Sequence, residues 1–444
     1  MAGAAFLCMI ALSCNVARAQ IYNWTTIAGV ANTIGSADGT NSGALFNAPY
    51  GVALDGSGNV YVADHVASTI RKMTHVGTNW VVTTIAGSAA NSGSADGINT
   101  AALFNGPRGL VVGNNGNIFI SDEGNHCIRM LTAIGTNWVS STIAGSVTNP
   151  GSADGIGSAA QFEEVDGIIQ GKGGNLFVAS YDDDTIREVT PSGTNWIVIT
   201  IAGLAQNAGS SDGIGTDARF NNPYDVAVDG SGNLYVADSR GQTTRMLTPS
   251  GTNWVVSTIA GSYEKRGAVD GTNSNARFNY ASGVAVDSGG KIYVADTYSD
   301  TIRKLLSVGT NWIVSTIGGV VSNTVAADGT NGVATFYLPR GLKIDSRGNV
   351  YVADFDHSTI RLGTPLIPYM LSTRVSGTNL LINGISGLAG GKYFVLASTN
   401  VALPFSQWTP VATNILNTTG NFTMTATNAV NPNVRQEFYI LQLQ

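Results

Sequence analysis

Charged residues are scarce in this sequence, because Asp, Glu, Lys and Arg make up only 12% of its 444 residues. That share is about half of what a globular protein usually has. The net charge is −6, so nucleic acid or an anionic membrane would meet a surface of like sign. Beyond the N-terminal segment no run of 18 apolar residues occurs, which argues against a transmembrane helix. We therefore expect neither a nucleic-acid partner nor a membrane span.

Cysteine is nearly absent, with three residues in the whole chain. Cys8 and Cys14 fall in a segment that predicts a secretory signal peptide over residues 1–19: an apolar run at 4–12, then Ala17-Arg18-Ala19 before a cleavage point at Gln20. A buried N-terminal helix is the alternative. After cleavage only Cys127 remains, so we expect a secreted or envelope protein, without an internal disulfide, that packing stabilises.

Motifs for common enzyme chemistry are also missing. The sequence has no GxSxG nucleophile elbow between a strand and a helix, no phosphate-binding loop and no CxxC pair. What it has instead is glycine, 55 residues of it, and a long internal repeat. An Asp-Gly pair, a TIAG or TIGG motif and an arginine each recur six times at steps of 58 residues; the aspartates are Asp38, Asp96, Asp154, Asp212, Asp270 and Asp328.

Each copy holds four short runs rich in Val, Ile, Tyr and Thr, separated by Gly, Asn, Ser and Asp. In the fourth copy the runs are 225–229, 233–238, 243–247 and 254–259. Four antiparallel strands repeated six times predict an all-β, six-bladed propeller with four-stranded blades. A β-helix is the alternative, although its coils are usually far shorter. The mature chain begins with a fourth strand and the sixth copy ends after its third, so we expect residues 24–27 to complete the last blade.

The repeated residues resemble a known family. FNAPYGVALD at 46–55, GNVYVAD at 58–64 and TIRK at 69–72 are similar to the signature of NHL repeats, and the likeness extends over residues 21–363. It implies a propeller of the type found in secreted bacterial proteins. It leaves function open, because such propellers serve as RNA readers, protein-binding platforms and lyases.

The prediction for the chain is thus a signal peptide at 1–19, a propeller at 20–363, a linker at 364–368 and a small β-sandwich-like domain at 369–444. Strand-like runs occur in the last region at 379–382, 392–397 and 437–443. It is similar to C-terminal β domains of large secreted bacterial proteins, with Ser398-Thr399-Asn400 followed by Trp408. Surface attachment and a spacer role are both open.

One column of the repeat varies in chemistry while its neighbours hardly vary. It lies just before the glycine of the FNxPxG motif, where we expect the upper mouth of the central channel. Tyrosine, arginine and aspartate there could stack on sugars or bond polar ligands; free variation of loop residues is the alternative. The predicted ligand-binding residues are Tyr50, Arg108, Asp166, Tyr224, Ser282 and Arg340.

Carboxylates cluster where the third and fourth copies depart from the repeat. Hard oxygen ligands suit Ca²⁺, and the resembling lactonase-type propellers hold such a metal in their channel. Solvated rim charges are the alternative. The predicted metal ligands are Glu163, Glu164, Asp166 and Asp225.

Three histidines, His65, His126 and His357, occupy comparable loops and offer a second metal site, of the zinc type, although their spacing differs. The six Asp-Gly aspartates occur in every copy, so we interpret them as turn residues that bond their own backbone. The aspartates that end YVAD are expected to orient a loop or meet the repeated arginine.

The preferred function is a non-catalytic binding scaffold, secreted or at the cell envelope and monomeric, whose upper face holds a glycan or protein. Near-identical copies favour this interpretation, because an active site needs different residues from different blades. The alternative is a metal-dependent lactonase- or lyase-like enzyme with Ca²⁺ as cofactor at the channel mouth. RNA binding conflicts with the acidic balance.

Overall fold

The computed structural model describes residues 20–89 and 91–366, followed by strand segments at 369–376, 379–385, 392–398, 409–415, 422–426 and 438–443. The predicted signal peptide, together with Thr399, Asn400 and Trp408 of the C-terminal motif, lies outside the described residues. The chain divides into two compact units, Tyr22–Thr364 and a second unit that contains the strands after Pro365.

The propeller unit opens with β1 (Tyr22–Gly29) and continues through six repeats. Repeat one holds β2 (Gly39–Thr40), β3 (Pro49–Leu54), β4 (Val60–Asp64), β5 (Thr69–Val76) and β6 (Asn79–Gly87). Repeat two holds β7 (Pro107–Val112), β8 (Ile118–Asp122), β9 (Cys127–Ile134) and β10 (Asn137–Gly145). Repeat three holds β11 (Gly155–Ile156), β12 (Val165–Gln170), β13 (Leu176–Ser180), β14 (Thr185–Ser192) and β15 (Asn195–Gly203).

Repeat four holds β16 (Gly213–Ile214), β17 (Pro223–Val228), β18 (Leu234–Asp238), β19 (Thr243–Ser250) and β20 (Asn253–Gly261). Repeat five holds β21 (Gly271–Thr272), β22 (Ala281–Val286), β23 (Ile292–Asp296), β24 (Thr301–Val308) and β25 (Asn311–Gly318). Repeat six holds β26 (Gly329–Thr330), β27 (Pro339–Ile344), β28 (Val350–Asp354) and β29 (Thr359–Pro365).

The helices among the described residues are single 3₁₀ turns, at Asn41–Gly43, Asn99–Ala101, Glu123–Asn125, Gly157–Ala159, Gly215–Asp217, Asn273–Asn275 and Thr297–Ser299. None of them has the length and apolar character needed to cross a membrane.

Six antiparallel sheets form the blades, which confirms the predicted six-bladed propeller. Five of them have five strands, because a two-residue strand such as β2 adds to the outer edge, and blade two has four. The short outer strand leaves little free edge for another chain to pair with.

The ring closes as the sequence predicts. The sixth sheet has the order β26-β1-β29-β28-β27, so the N-terminal strand is the fourth strand of the last blade. Aromatic contacts join the blades around the ring: Trp138 packs edge-on against Tyr61 of the preceding blade, with ring centroids 6.2 Å apart, and equivalent pairs recur. At the closure Tyr22 takes the place of the tryptophan, and its hydroxyl donates to the hydroxyl of Tyr293 at 3.3 Å.

A buried arginine ties each blade together. In blade one Arg71 donates from Nη1 to Asp64 at 2.9 Å and from Nη2 to Asp38 at 2.9 Å, and its guanidinium lies over the Phe46 ring. The YVAD aspartates therefore meet the repeated arginine. The prediction that the Asp-Gly aspartates bond their own backbone was wrong, because Asp38 and its equivalents instead bind this arginine and the fourth strand, as at Thr84.

The second unit is also built of strands. These are β30 (Tyr369–Ser376), β31 (Asn379–Ile385), β32 (Lys392–Ser398), β33 (Thr409–Ile415), β34 (Phe422–Ala426) and β35 (Phe438–Leu443). They form two antiparallel sheets, in the orders β30-β31-β34 and β33-β32-β35, which fits the predicted β-sandwich-like domain.

Candidate ligand site on the upper face of the propeller

The first full-length strand of each blade lines the central channel, and glycine lets neighbouring strands approach there. A Cβ added to Gly51 would lie 2.2 Å from the Arg108 carbonyl oxygen, and one added to Gly109 would lie 2.3 Å from the Asp166 carbonyl oxygen. The channel below the mouth is consequently narrow: its cavity measures about 30 Å³. That volume holds one or two water molecules, so the channel has no room for an organic ligand.

The predicted mouth column does converge at the upper end of this channel, since all six residues line its cavity. Tyr50 and Tyr224, from blades one and four, stack with centroids 5.9 Å apart and an interplanar angle of 13°. The guanidinium carbon of Arg340 lies 5.5 Å from each of their ring centres, and Nη1 donates to the Tyr224 hydroxyl at 2.8 Å. The two tyrosines therefore close the channel from above.

Arg108 is the centre of a carboxylate cluster. Its Nη1 donates to Asp166 at 2.6 Å and also to Glu164, and Nη2 lies 3.6 Å from Glu123. Burial, which Arg108 only partly offsets, raises the pKa of Asp166 to about 6 and that of Glu164 to about 8. Arg108 is therefore already paired with carboxylates of the protein.

Ser282, the fifth member of the column, is not available to a ligand. Ser282 is fully buried, and its hydroxyl pairs with that of Thr297 and lies 3.5 Å from the Pro339 carbonyl oxygen.

Above the closed channel lies a much larger cavity, of about 390 Å³. It spans blades two to six, and three residues of the predicted column, Arg108, Tyr224 and Arg340, form its floor. Its other lining residues are Glu164, Tyr181, Ser239, Arg240, Tyr280 and Tyr298.

Aromatic side chains dominate the wall of this cavity. Tyr181 packs edge-on against Tyr224 at a centroid distance of 5.3 Å, and Tyr280 packs against Tyr298 at 5.0 Å. Tyr298 is 51% exposed, so its ring is open to a ligand. On the opposite side, Tyr50, His65 and Phe355 fill the mouth with their own contacts. Burial and the nearby Arg108 lower the pKa of His65 to about 4, which keeps that imidazole neutral.

The sequence prediction missed the cavity residues that follow the second full-length strand of each blade. Tyr181 and Ser239 stand in the column directly after FVAS or YVAD, and Arg240 and Tyr298 in the next one. Both columns vary between copies as widely as the mouth column does. Treating every variable column of the upper loops alike would have found them.

The four predicted metal ligands do not form one cluster. Glu164 and Asp166 are paired with Arg108, whereas Asp225 accepts bonds from the backbone N–H groups of Val226 and Val284. Burial raises the pKa of Asp225. The backbone N–H of Glu163 donates to Asp183 at 3.3 Å. Within the part of the chain that the structure describes, no group of three or more His, Cys, Asp or Glu side chains is placed to hold a metal ion.

The histidines do not converge either. His357 is buried and bonded at both ring nitrogens, 2.9 Å from Asp354 and 2.8 Å from the Thr324 carbonyl oxygen. The Nδ1 of His126 contacts the Glu163 carbonyl oxygen, and His65 packs against Tyr50. Cys127 is a buried free cysteine.

The family model for the NHL repeat matches residues 104–130, 278–305 and 336–361, which fall in blades two, five and six. Three of the six repeats of the propeller thus match the NHL repeat. A curated relative, NHL repeat-containing protein 2 from Gallus gallus, is 27% identical over 303 residues, or 61% of this chain. Another, Protein SUPPRESSOR OF QUENCHING 1, chloroplastic, from Arabidopsis thaliana, is 28% identical over 287 residues, also 61% of this chain. The matched regions cover 26% of the Arabidopsis protein and 40% of the Gallus gallus protein, so the chain spans less than half of their lengths.

Solved structures share the fold of the NHL propeller. A structural genomics protein of unknown function from Bacteroides thetaiotaomicron has a TM-score of 0.59 at 21% identity, covering 77% of this chain and 76% of its own. An auxiliary nutrient binding protein from the same organism has a TM-score of 0.57 at 16% identity, covering 78% and 76%.

Proposed function

We propose that the NHL propeller is a non-catalytic binding scaffold whose upper-face cavity holds a glycan. The observation that carries this proposal is the cavity itself, about 390 Å³ with four tyrosines and three arginines among its lining residues. Small-molecule sites typically measure about 300–1,000 Å³, and this volume suits a short oligosaccharide.

The lining chemistry supports a sugar as the ligand. Tyrosine presents a ring face for the apolar side of a pyranose and a hydroxyl for hydrogen bonding. Arginine supplies several N–H donors in a fixed fork. The exposed ring of Tyr298, which stands beside Tyr280, is the main stacking surface in this proposal.

Other properties of the molecule agree with this role. One of the structures that shares the fold is named as an auxiliary nutrient binding protein, which is a binding role on the same scaffold. The apolar segment at the N-terminus of the sequence favours secretion or attachment to the cell envelope, where free glycans are met. We propose that the scaffold is monomeric, and that the second unit attaches or spaces it.

The proposal can be tested on a glycan array with the purified protein, followed by calorimetry on the glycans that bind. We expect Tyr298→Ala to weaken binding about three- to tenfold, because one stacking partner is lost. Tyr263→Ala is the matched control: Tyr263 lies in an upper-face loop of blade four and does not line the cavity. The affinity of the Tyr263→Ala variant for the glycan should equal that of the unaltered protein.

A blank array combined with turnover of a substrate by the purified protein would contradict the scaffold. A blank array combined with capture of an envelope protein would replace the glycan with a protein ligand. Equal losses in the two tyrosine variants would place binding outside the cavity.

A further inference from the structure

Within the described part of the chain, Arg340 forms no salt bridge with a carboxylate, although Asp166 and Asp356 interact with it at longer range. Its guanidinium lies among three aromatic rings, with centroid distances of 5.5, 5.5 and 5.2 Å to Tyr50, Tyr224 and Phe355. Among the described residues its side chain has one hydrogen-bond partner, the Tyr224 hydroxyl at 2.8 Å, and its Nε is buried without one. Aromatic rings stabilise the charge, but most of its five N–H groups remain unused.

Arg240 lines the same cavity from the loop that follows β18. It is exposed, and among the residues described in the structure its guanidinium forms neither a salt bridge nor a hydrogen bond. Two unpaired arginines thus lie on the side of the cavity formed by blades four and six.

The other side of the cavity is electrostatically different. There Arg108 is shared between Asp166, Glu164 and Glu123, so its charge is satisfied within the protein. The cavity is therefore lined by one arginine that carboxylates already neutralise and by two that form no salt bridge, and an anionic group on a ligand would be directed to those two.

From this asymmetry we infer that the ligand is an acidic sugar, whose carboxylate or sulfate group is held by Arg240 and Arg340 while its ring stacks on the tyrosines. The inference rests on the proposed glycan site and adds its charge specificity. A planar guanidinium fork matches the oxygens of both anions, and charge-assisted hydrogen bonds are about twice as strong as neutral ones. A neutral sugar could accept from Arg340 only through hydroxyl or ring oxygens, which form weaker hydrogen bonds than an anion does.

The experiment compares two acidic oligosaccharides with a neutral one. Binding of trigalacturonic acid, of its methyl ester and of a sulfated galactan oligosaccharide is measured by calorimetry with the full chain. We expect at least one acidic ligand to bind about tenfold or more tightly than the neutral ester, from the usual strength of charged hydrogen bonds. The tighter of the two acidic ligands identifies the anion.

Variants then locate the effect. Arg240→Gln should weaken the acidic ligand about tenfold, and its exposed position makes misfolding no explanation for a loss. Arg340→Lys, which keeps the charge and removes the fork, should weaken it as well. Arg347→Gln is the matched control. The substitution removes the same charge, but this exposed arginine lies in the β27–β28 hairpin on the opposite face.

The outcomes separate the two proposals. If the methyl ester binds as tightly as both acids, the inference of an acidic sugar is overturned while the glycan site stands. The inference is also overturned if Arg347→Gln weakens the acid as much as Arg240→Gln, since the effect would then be net charge. If no sugar of any charge binds, both proposals fail together.

Discussion

At the scale of single residues, each buried arginine is bound by two aspartates that differ in exposure. In blade four Arg245 contacts Asp238, which is fully buried, at 3.1 Å and Asp212, whose side chain is 50% exposed, at 2.8 Å. Blade three varies the pattern: Ser180 replaces the buried aspartate, and Asp183, three residues later, lies 4.0 Å from Arg187. The arginine thus keeps a buried carboxylate nearby even where the repeat departs from its pattern.

We predict that Asp238→Ala destabilises the protein by about 3–5 kcal/mol, because Arg245 would be left buried without that charge. Asp212→Ala, at the other end of the same guanidinium, should cost only about 1 kcal/mol, since water screens its exposed carboxylate. Urea unfolding followed by tryptophan fluorescence at pH 7.5 measures both. Burial raises the pKa of Asp238 to about 6, so this carboxylate is ionised at that pH. Equal losses would contradict the role of burial.

The candidate site was only partly predictable at this scale. The 58-residue register correctly brought Tyr50, Arg108, Tyr224 and Arg340 to one mouth, because residues at equal positions of equal strands must share a rim. Contacts between columns could not be read from the register. The pairing of Arg108 with Glu164 and Asp166, which removes those carboxylates from a metal site, became visible only in three dimensions.

At the scale of elements, the closing strand β1 differs from the fourth strands of the other blades in the size of one side chain. Trp24 stands where they have valine or serine, and Gly363 stands opposite it where the other blades have Met, Leu or Val. Gly318 of blade five stands where the other copies have alanine. A Cβ on either glycine would lie 2.6 Å from the Trp24 ring, and the indole N–H donates to the Ile317 carbonyl oxygen at 2.9 Å. At the closure the large side chain therefore stands on β1, and the residues that it packs against are small. This arrangement fits β1 to blade six alone.

We predict that Gly363→Ala destabilises the propeller by about 1–3 kcal/mol, the usual cost of overpacking a filled core. Gly332→Ala, in the same blade, is the control: its added Cβ would meet nothing within 4 Å, so the change should stay within about 0.5 kcal/mol. Thermal unfolding compares the two variants. A Gly363→Ala protein as stable as the control would show that the space around the Trp24 ring can accommodate an additional methyl group.

The long strands of each blade were predictable from composition and turn residues, since Val, Ile and Tyr runs alternate with Gly and Asn pairs. The fifth, outer strand was not. It has two residues, such as Gly39–Thr40, and a pairing this short depends on the neighbouring strand β6 rather than on any periodicity of its own.

At the scale of the whole molecule, the ring is held by one strand that joins residues about 340 positions apart in the chain. The repeated aromatic pairs join neighbouring blades, and β1 ties the beginning of the propeller segment to its last blade. Without it β29 would be an open sheet edge, and such edges pair with other chains.

We predict that a protein lacking residues 20–29 self-associates, because β29 then offers its free backbone groups to a second copy. Light scattering after size-exclusion chromatography measures the mass. A synthetic peptide of residues 20–29 should restore the mass of the untruncated protein, whereas the same peptide with Trp24→Asp should not, since a charge would enter a fully buried position. A truncated protein that does not associate beyond the state of the untruncated protein would contradict the role assigned to β1.

The stack of Tyr50 and Tyr224 has a consequence for the passage of molecules through the central channel of the propeller. Because these two rings block the axial passage, a ligand that binds on the upper face can dissociate only from that face. A polymeric ligand of the proposed cavity would therefore bind through a chain end or a short exposed stretch, without threading the ring.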